Sequence, residues 1–255
     1  MFTLMRNLRR NLLERNSFGK YALYALGEFL LIVIGILAAL WIDNWNQERQ
    51  EAKREQFYLS GLREEFSVSL LKLDTLIAVN RHSYQTSEEL LRQIPGAATP
   101  GDEATLSGML IEALSYGIAY NPNNSLLMEL INSGRMESLS STELRKRLTS
   151  WESRVESLHH QEEGLRQQQE LTKDLFRRPD GSIRTILAQT GAGPEALALK
   201  GGRDLHSNLP LLKSRVFENN LLLYMMSAIS TETNHYQPLR REIETILELI
   251  EAGLE

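Results

Sequence analysis

The chain has 255 residues, no cysteine, 42% apolar residues, and 28 Lys and Arg against 33 Asp and Glu. A net charge of −5 argues against nucleic acid as the main partner, because such partners are met by basic surfaces. Without cysteine there is no zinc-thiolate site to consider, while the compartment stays open.

Residues 1–18 begin MFTLMRNLRRNLLERN, in which Phe2, Met5, Leu8, Leu12 and Leu13 recur at helical spacing. Arg6, Asn7, Arg9 and Arg10 mark the other side. That is the pattern of a cytoplasmic helix lying in the headgroup layer with its arginines on anionic lipid. A basic tail that only sets topology is the plainer alternative. NSFGK then supplies a bend.

Residues 19–42 read as a transmembrane helix. The stretch YALYALGEFLLIVIGILAALWI matches the roughly 20 residues needed to cross a bilayer. Lys20, Tyr21 and Tyr24 at one end, and Trp41 and Trp45 at the other, suit the two membrane interfaces. A cleaved signal peptide has an apolar core of roughly 7–15 residues followed by small residues. Here the run is longer and Trp41 and Ile42 follow Ala38 and Ala39, so a retained anchor is expected. Before the span Arg6, Arg9, Arg10, Arg15 and Lys20 outnumber Glu14; after it Asp43, Glu48, Glu51 and Glu55 offset Arg49, Lys53 and Arg54. The basic side belongs in the cytoplasm, which puts nearly everything after Ile42 outside.

Glu28 is the one charge within the span. A charged residue at membrane depth costs roughly 2.5–3.5 kcal/mol on insertion scales and is functional by default. Ala25, Glu28, Ile32, Gly35 and Ala39 share a helical face and Gly27 borders it, so a second helix can come close. The expected role is an oligomer interface in which a protonated or hydrogen-bonded Glu28 fixes register. Three readings compete: pairing with a cation on another membrane protein, a ring of Glu28 lining an ion or proton path, and a side chain that snorkels toward Lys20.

Residues 43–58 are expected to carry the helix onward as a stalk. QERQEAKREQ is polar all round but rich in helix formers, and spans roughly 15 Å at 1.5 Å per residue. Residues 59–255 then read as an all-α, up-and-down bundle outside the membrane. Leu59, Leu62, Phe66, Leu73 and Leu76 follow a 3-4 alternation with Ser69 in one place, as in coiled-coil packing within a bundle or an oligomer. IPGAATPGDE ends that helix. A second helix is expected from Ala104 to about Ile118, then a turn at NPNN. A short third helix, built on Leu126, Leu127, Leu130 and Ile131, ends at Gly134. Ser140, three residues before Glu143, opens a long helix to about Arg177 as a capping box. Its stripe of Leu144, Leu148, Trp151, Val155, Leu158 and Leu165 is narrow. After RRPDGS and the Gly-rich GAGPEALALKGG, a last helical region starts at Pro210 and is interrupted near Pro238.

Patterns that carry chemistry are sparse. In HHQEE, His159 and Glu162, or His160 and Glu163, share a helical face. A two-metal bundle needs Glu-x-x-His pairs from facing helices, so a solvated face is the better reading. GAGPEA lacks the strand and third glycine of a dinucleotide site, and the Tyr224–Met226 run reads as core. No nucleophile stands at readable spacing from a base. No catalytic residue, metal or cofactor is therefore expected.

The block GEFLLIVIGILAALWIDNWNQER, Gly27 to Arg49, resembles the signature of an uncharacterised family of small single-span bacterial membrane proteins. Lys20-Tyr21 and the later SGRMESLSSTELRKRL are similar to that family as well. Asp43 stands where Asn is usual and Trp41 where Gln is common. The resemblance implies a bacterial inner-membrane protein with an external helical domain, and no activity. Together these readings lead to a non-enzymatic, homo-oligomeric scaffold or partner-binding protein held in the bilayer. The alternatives are an ion- or proton-conducting assembly on Glu28 and a ligand-sensing bundle outside the membrane.

Overall fold

The computed structural model describes residues 17–93, 102–191 and 205–254. Among them every regular element is helical: α1 (Ser17–Arg92), α2 (Glu103–Leu114), α3 (Ser125–Asn132), α4 (Thr142–Asp174), α5 (Ile183–Thr190), α6 (Arg215–Thr231) and α7 (Gln237–Leu254). The amphipathic reading of residues 1–16 and the Gly-rich loop at 192–204 lie outside the described residues. The chain divides into two compact units, Met1–Glu55 and Gln56–Glu255.

The first unit contributes the start of α1, which has no interior. Leu31 is 73% exposed and Trp41 71%. From 25 to 54 every residue but Val33 is exposed.

The second unit has two apolar clusters. One joins Leu59, Leu62, Phe66 and Leu73 of α1 to Leu127 and Leu130 of α3, Leu144, Leu148 and Trp151 of α4, and Ile243, Ile246 and Ile250 of α7. Phe66 and Trp151 meet edge to face, centroids 5.0 Å apart. The other gathers Leu90 of α1, Leu106, Leu110 and Leu114 of α2, Leu165 of α4, Phe176 just after α4, Ile186 of α5, and Phe217, Leu221 and Tyr224 of α6. The 3-4 alternation of α1 thus finds its partners inside one chain. Where it continues, the buried residues turn polar: Asn80, Ser83 and Ser87. The stripe of α4 does the same at Glu162, Gln169 and Thr172.

Caps explain several boundaries. Asp102 accepts from the Thr105 N–H at 2.7 Å and opens α2. The cap of α4 is Ser141, which accepts from the Leu144 N–H at 3.2 Å, one residue later than the expected Ser140. Glu143 consequently sits in the first turn and pairs with Arg147 at 2.8 Å instead of closing a capping box. Gly134, at φ 68°, follows α3 in the left-handed conformation that glycine adopts without steric cost.

Other expectations need correcting. α2 stops at Leu114, not near Ile118, and 115–124 run as a non-helical strap. Pro210 begins only a 3-10 turn, Leu209–Lys213; extended Ser214 (ψ 121°) separates it from α6. α5 was not anticipated. Ser182 caps it through the Thr185 N–H at 3.2 Å, and Gly191 closes it at φ 64°. The interruption near Pro238 is a π turn, Glu232–Tyr236, leading straight into α7. Proline brings no N–H and its ring collides with the carbonyl four residues back, so the helix widens before it.

Candidate functional site

α1 carries the residues singled out for the bilayer. At about 100° per residue, Ala25, Glu28, Ile32, Gly35 and Ala39 fall on one side of it. Glu28 is exposed, and a Cβ added at Gly27 or Gly35 would meet nothing within 4 Å. The surface beside these glycines is open. Tyr21, Trp41 and Trp45 are all exposed. Arg49 places its guanidinium 5.9 Å from the Trp45 ring centroid, within cation–π range. Lys20 lies in the first turn of α1, while Arg6, Arg9 and Arg10 lie outside the described residues. This helix is long and apolar enough to cross a membrane.

A second constellation was not read from the sequence. Strap 115–124 is gripped from both sides. From α1, the Ser69 hydroxyl accepts from the Asn123 N–H at 2.9 Å, and Lys72 donates to the Asn121 carbonyl at 3.0 Å. Tyr120 returns its hydroxyl to the Ser69 carbonyl at 3.2 Å. From α4, Gln169 donates to the Tyr116 carbonyl at 3.0 Å, and His159 Nε2 meets the Tyr120 carbonyl at 2.9 Å. Glu65 of α1 accepts from the Leu126 and Leu127 N–H groups at 2.6 and 3.2 Å. It thereby serves the α3 terminus, where Asn124 offers no side-chain cap.

Glu162 is the hub. Its Oε1 accepts from the Tyr120 N–H at 2.9 Å and the Tyr236 hydroxyl at 3.0 Å, so one carboxyl joins α4, the strap and the π turn. Burial raises its pKa against the opposing pull of both donors and of nearby His159. Burial also raises the Tyr236 and Tyr120 hydroxyls, Tyr236 further through Glu162. Tyr224 is pushed up to about 12, again by burial. The solvated-face reading of HHQEE thus holds for His160 and Glu163, which are exposed, and fails for Glu162. A signal was present: Leu158 and Leu165 are seven apart, and the empty place in the 3-4 stripe between them is Glu162. No cluster of metal-ligating side chains forms among the described residues.

Fold and sites together define a protein whose described residues form only helices, with one long N-terminal helix whose apolar first part, residues 25–42, carries a single acid, Glu28. Residues 28–163, just over half of the chain, match the family described as "Family of unknown function (DUF6090)", and the chain belongs to that family. No curated protein and no solved structure matches it.

Proposed function

We propose that this is a bitopic bacterial inner-membrane protein, its N-terminus cytoplasmic and its helical domain outside. It acts without catalysis, as a homo-oligomeric scaffold or partner-binding module. The observation that carries the reading is residues 25–42 of α1: apolar on every side, exposed but for Val33, and opened by Gly35 two turns along the face of the lone Glu28. Apolar surface of this extent on one helix calls for lipid or other helices as its surroundings. Lipid gives helices no hydrophobic reason to associate, so close approach at small residues and a shared polar group supply it. On this reading the Glu28 carboxyl meets its counterpart in a neighbouring subunit and fixes which faces join.

Two measurements test it. The chain has no cysteine, so single cysteines at Thr3 and at exposed Glu152 report topology through a membrane-impermeant thiol reagent on intact cells. Only Glu152→Cys should label. Native electrophoresis in mild detergent should show a smaller assembly for Gly35→Leu and Ala39→Leu; an unchanged size removes this face as the interface.

A further inference from the structure

Among the described residues, the second apolar cluster is open at one corner. α2, the end of α4 with the 3-10 turn Leu175–Arg177 that follows it, and α5 line a partly open cavity of about 180 Å³. Leu110, Leu114, Phe176 and Ile186 line it, all of them buried. Lys173 and Arg177, one helical turn apart, line it as well and reach solvent, their side chains 28% and 51% exposed.

An engineered cavity of about 150 Å³ lined by Leu, Ile and Phe stays dry and binds benzene. The present one therefore has room for a six-membered ring with a short substituent. Its apolar wall rejects an unpartnered charge, and Lys173 and Arg177 are the cationic side chains that line it. Both already have partners: Lys173 donates to Gln169 Oε1 at 3.2 Å and Glu170 Oε1 at 3.0 Å. Arg177 pairs with Asp174, and with Glu170 at 3.0 Å. Such solvent-screened pairs are weak and yield readily. An ammonium also has three donors and a guanidinium five, so each can accommodate a further acceptor.

We propose that this cavity binds a small organic anion with an apolar body, of the size of an arylacetate. The ring lies against Leu110, Leu114, Phe176 and Ile186, and the carboxylate is held by Lys173 and Arg177. The inference does not depend on whether α1 crosses a bilayer or on how copies associate.

The probe is 4-fluorophenylacetate, followed by ¹⁹F NMR on the purified full chain in lipid nanodiscs. Empty nanodiscs and the neutral amide of the same acid serve as references. Saturable binding is expected, weakened at least tenfold in Lys173→Gln/Arg177→Gln and at least fivefold for the amide. Ile186→Phe fills the cavity and should abolish binding. Should that variant fail to fold by circular dichroism, Ser115→Trp decides, because Ser115 lines the cavity yet is exposed. Absence of saturation, or equal binding by the occluded variant, overturns the site. Equal binding of acid and amide overturns the anion recognition.

Discussion

Glu162→Leu removes the acceptor shared by the Tyr120 N–H and the Tyr236 hydroxyl. A buried donor left without a partner costs about 1–3 kcal/mol, so two cost about 2–6 kcal/mol together. Relief from burying an ionisable group in a 4%-exposed residue offsets part of this. Glu162→Gln keeps an acceptor oxygen and carries no charge, and should lie within about 1 kcal/mol of the parent at pH 7, or above it. The pH dependence has a definite sign. Burial raises the folded-state pKa of Glu162 above its unfolded value, so between the two values the folded chain binds more protons. The contribution of this group to stability therefore falls as pH rises through that window and is level above it. The Gln variant lacks this loss, so its standing relative to the parent is best at neutral pH. It is worst below the unfolded carboxyl pKa of about 4.3. Urea unfolding of the detergent-solubilised full chain, followed by circular dichroism between pH 4 and 7.5, measures both effects, and amide exchange at Tyr120 localises them. A Leu variant as stable as the Gln variant would refute the hub. So would a Gln advantage that grows as pH falls.

Three further outcomes are expected. Trp151→Ala empties a side chain that is 1% exposed and meets Phe66 edge to face; it should cost about 3–5 kcal/mol in the same unfolding assay. A Cβ at Gly181 would stand 2.5 Å from Phe176 Cα and 2.6 Å from the Leu175 carbonyl. Backbone does not yield as a side chain does, so Gly181→Ala should lower the unfolding midpoint by the equivalent of about 1–3 kcal/mol. Glu65→Ala leaves two N–H groups of α3 without their acceptor and should cost about 1 kcal/mol, as for loss of an ordinary cap. Faster amide exchange confined to Leu126 and Leu127 is its signature.

Periodicity carried most of the helical architecture. Leu59 to Leu76 and Leu144 to Leu165 were readable because burial repeats at three and four along a helix. What periodicity does not say is which polar residue occupies a vacant place in a stripe. Ser69 could be seen there, yet Glu162 was masked by its neighbours His160 and Glu163, which are solvated. The strap escaped for another reason. Its backbone groups are satisfied by Ser69, Lys72, Glu162 and Gln169, side chains far away in sequence, and no local rule anticipates distant partners. α5 escaped because it is short, although Ser182 and Gly191 bracket it with ordinary start and stop chemistry. Glu28 needed no structure to be noticed, since composition alone isolates it.

The π turn before Pro238 also settles a matter of phase. The buried residues 217, 221, 224, 228 and 231 of α6 would continue in a regular helix at 235, 238, 242 and 245. The apolar series resumes instead at 236, 239, 243 and 246, one place late. The wide turn thus works as a vernier, absorbing a single supernumerary residue so that both cores are addressed by one nearly continuous rod. Excising one residue between 232 and 235 leaves the two series aligned, whereas the same excision at 222 or 247 swings all that lies beyond it by about 100°.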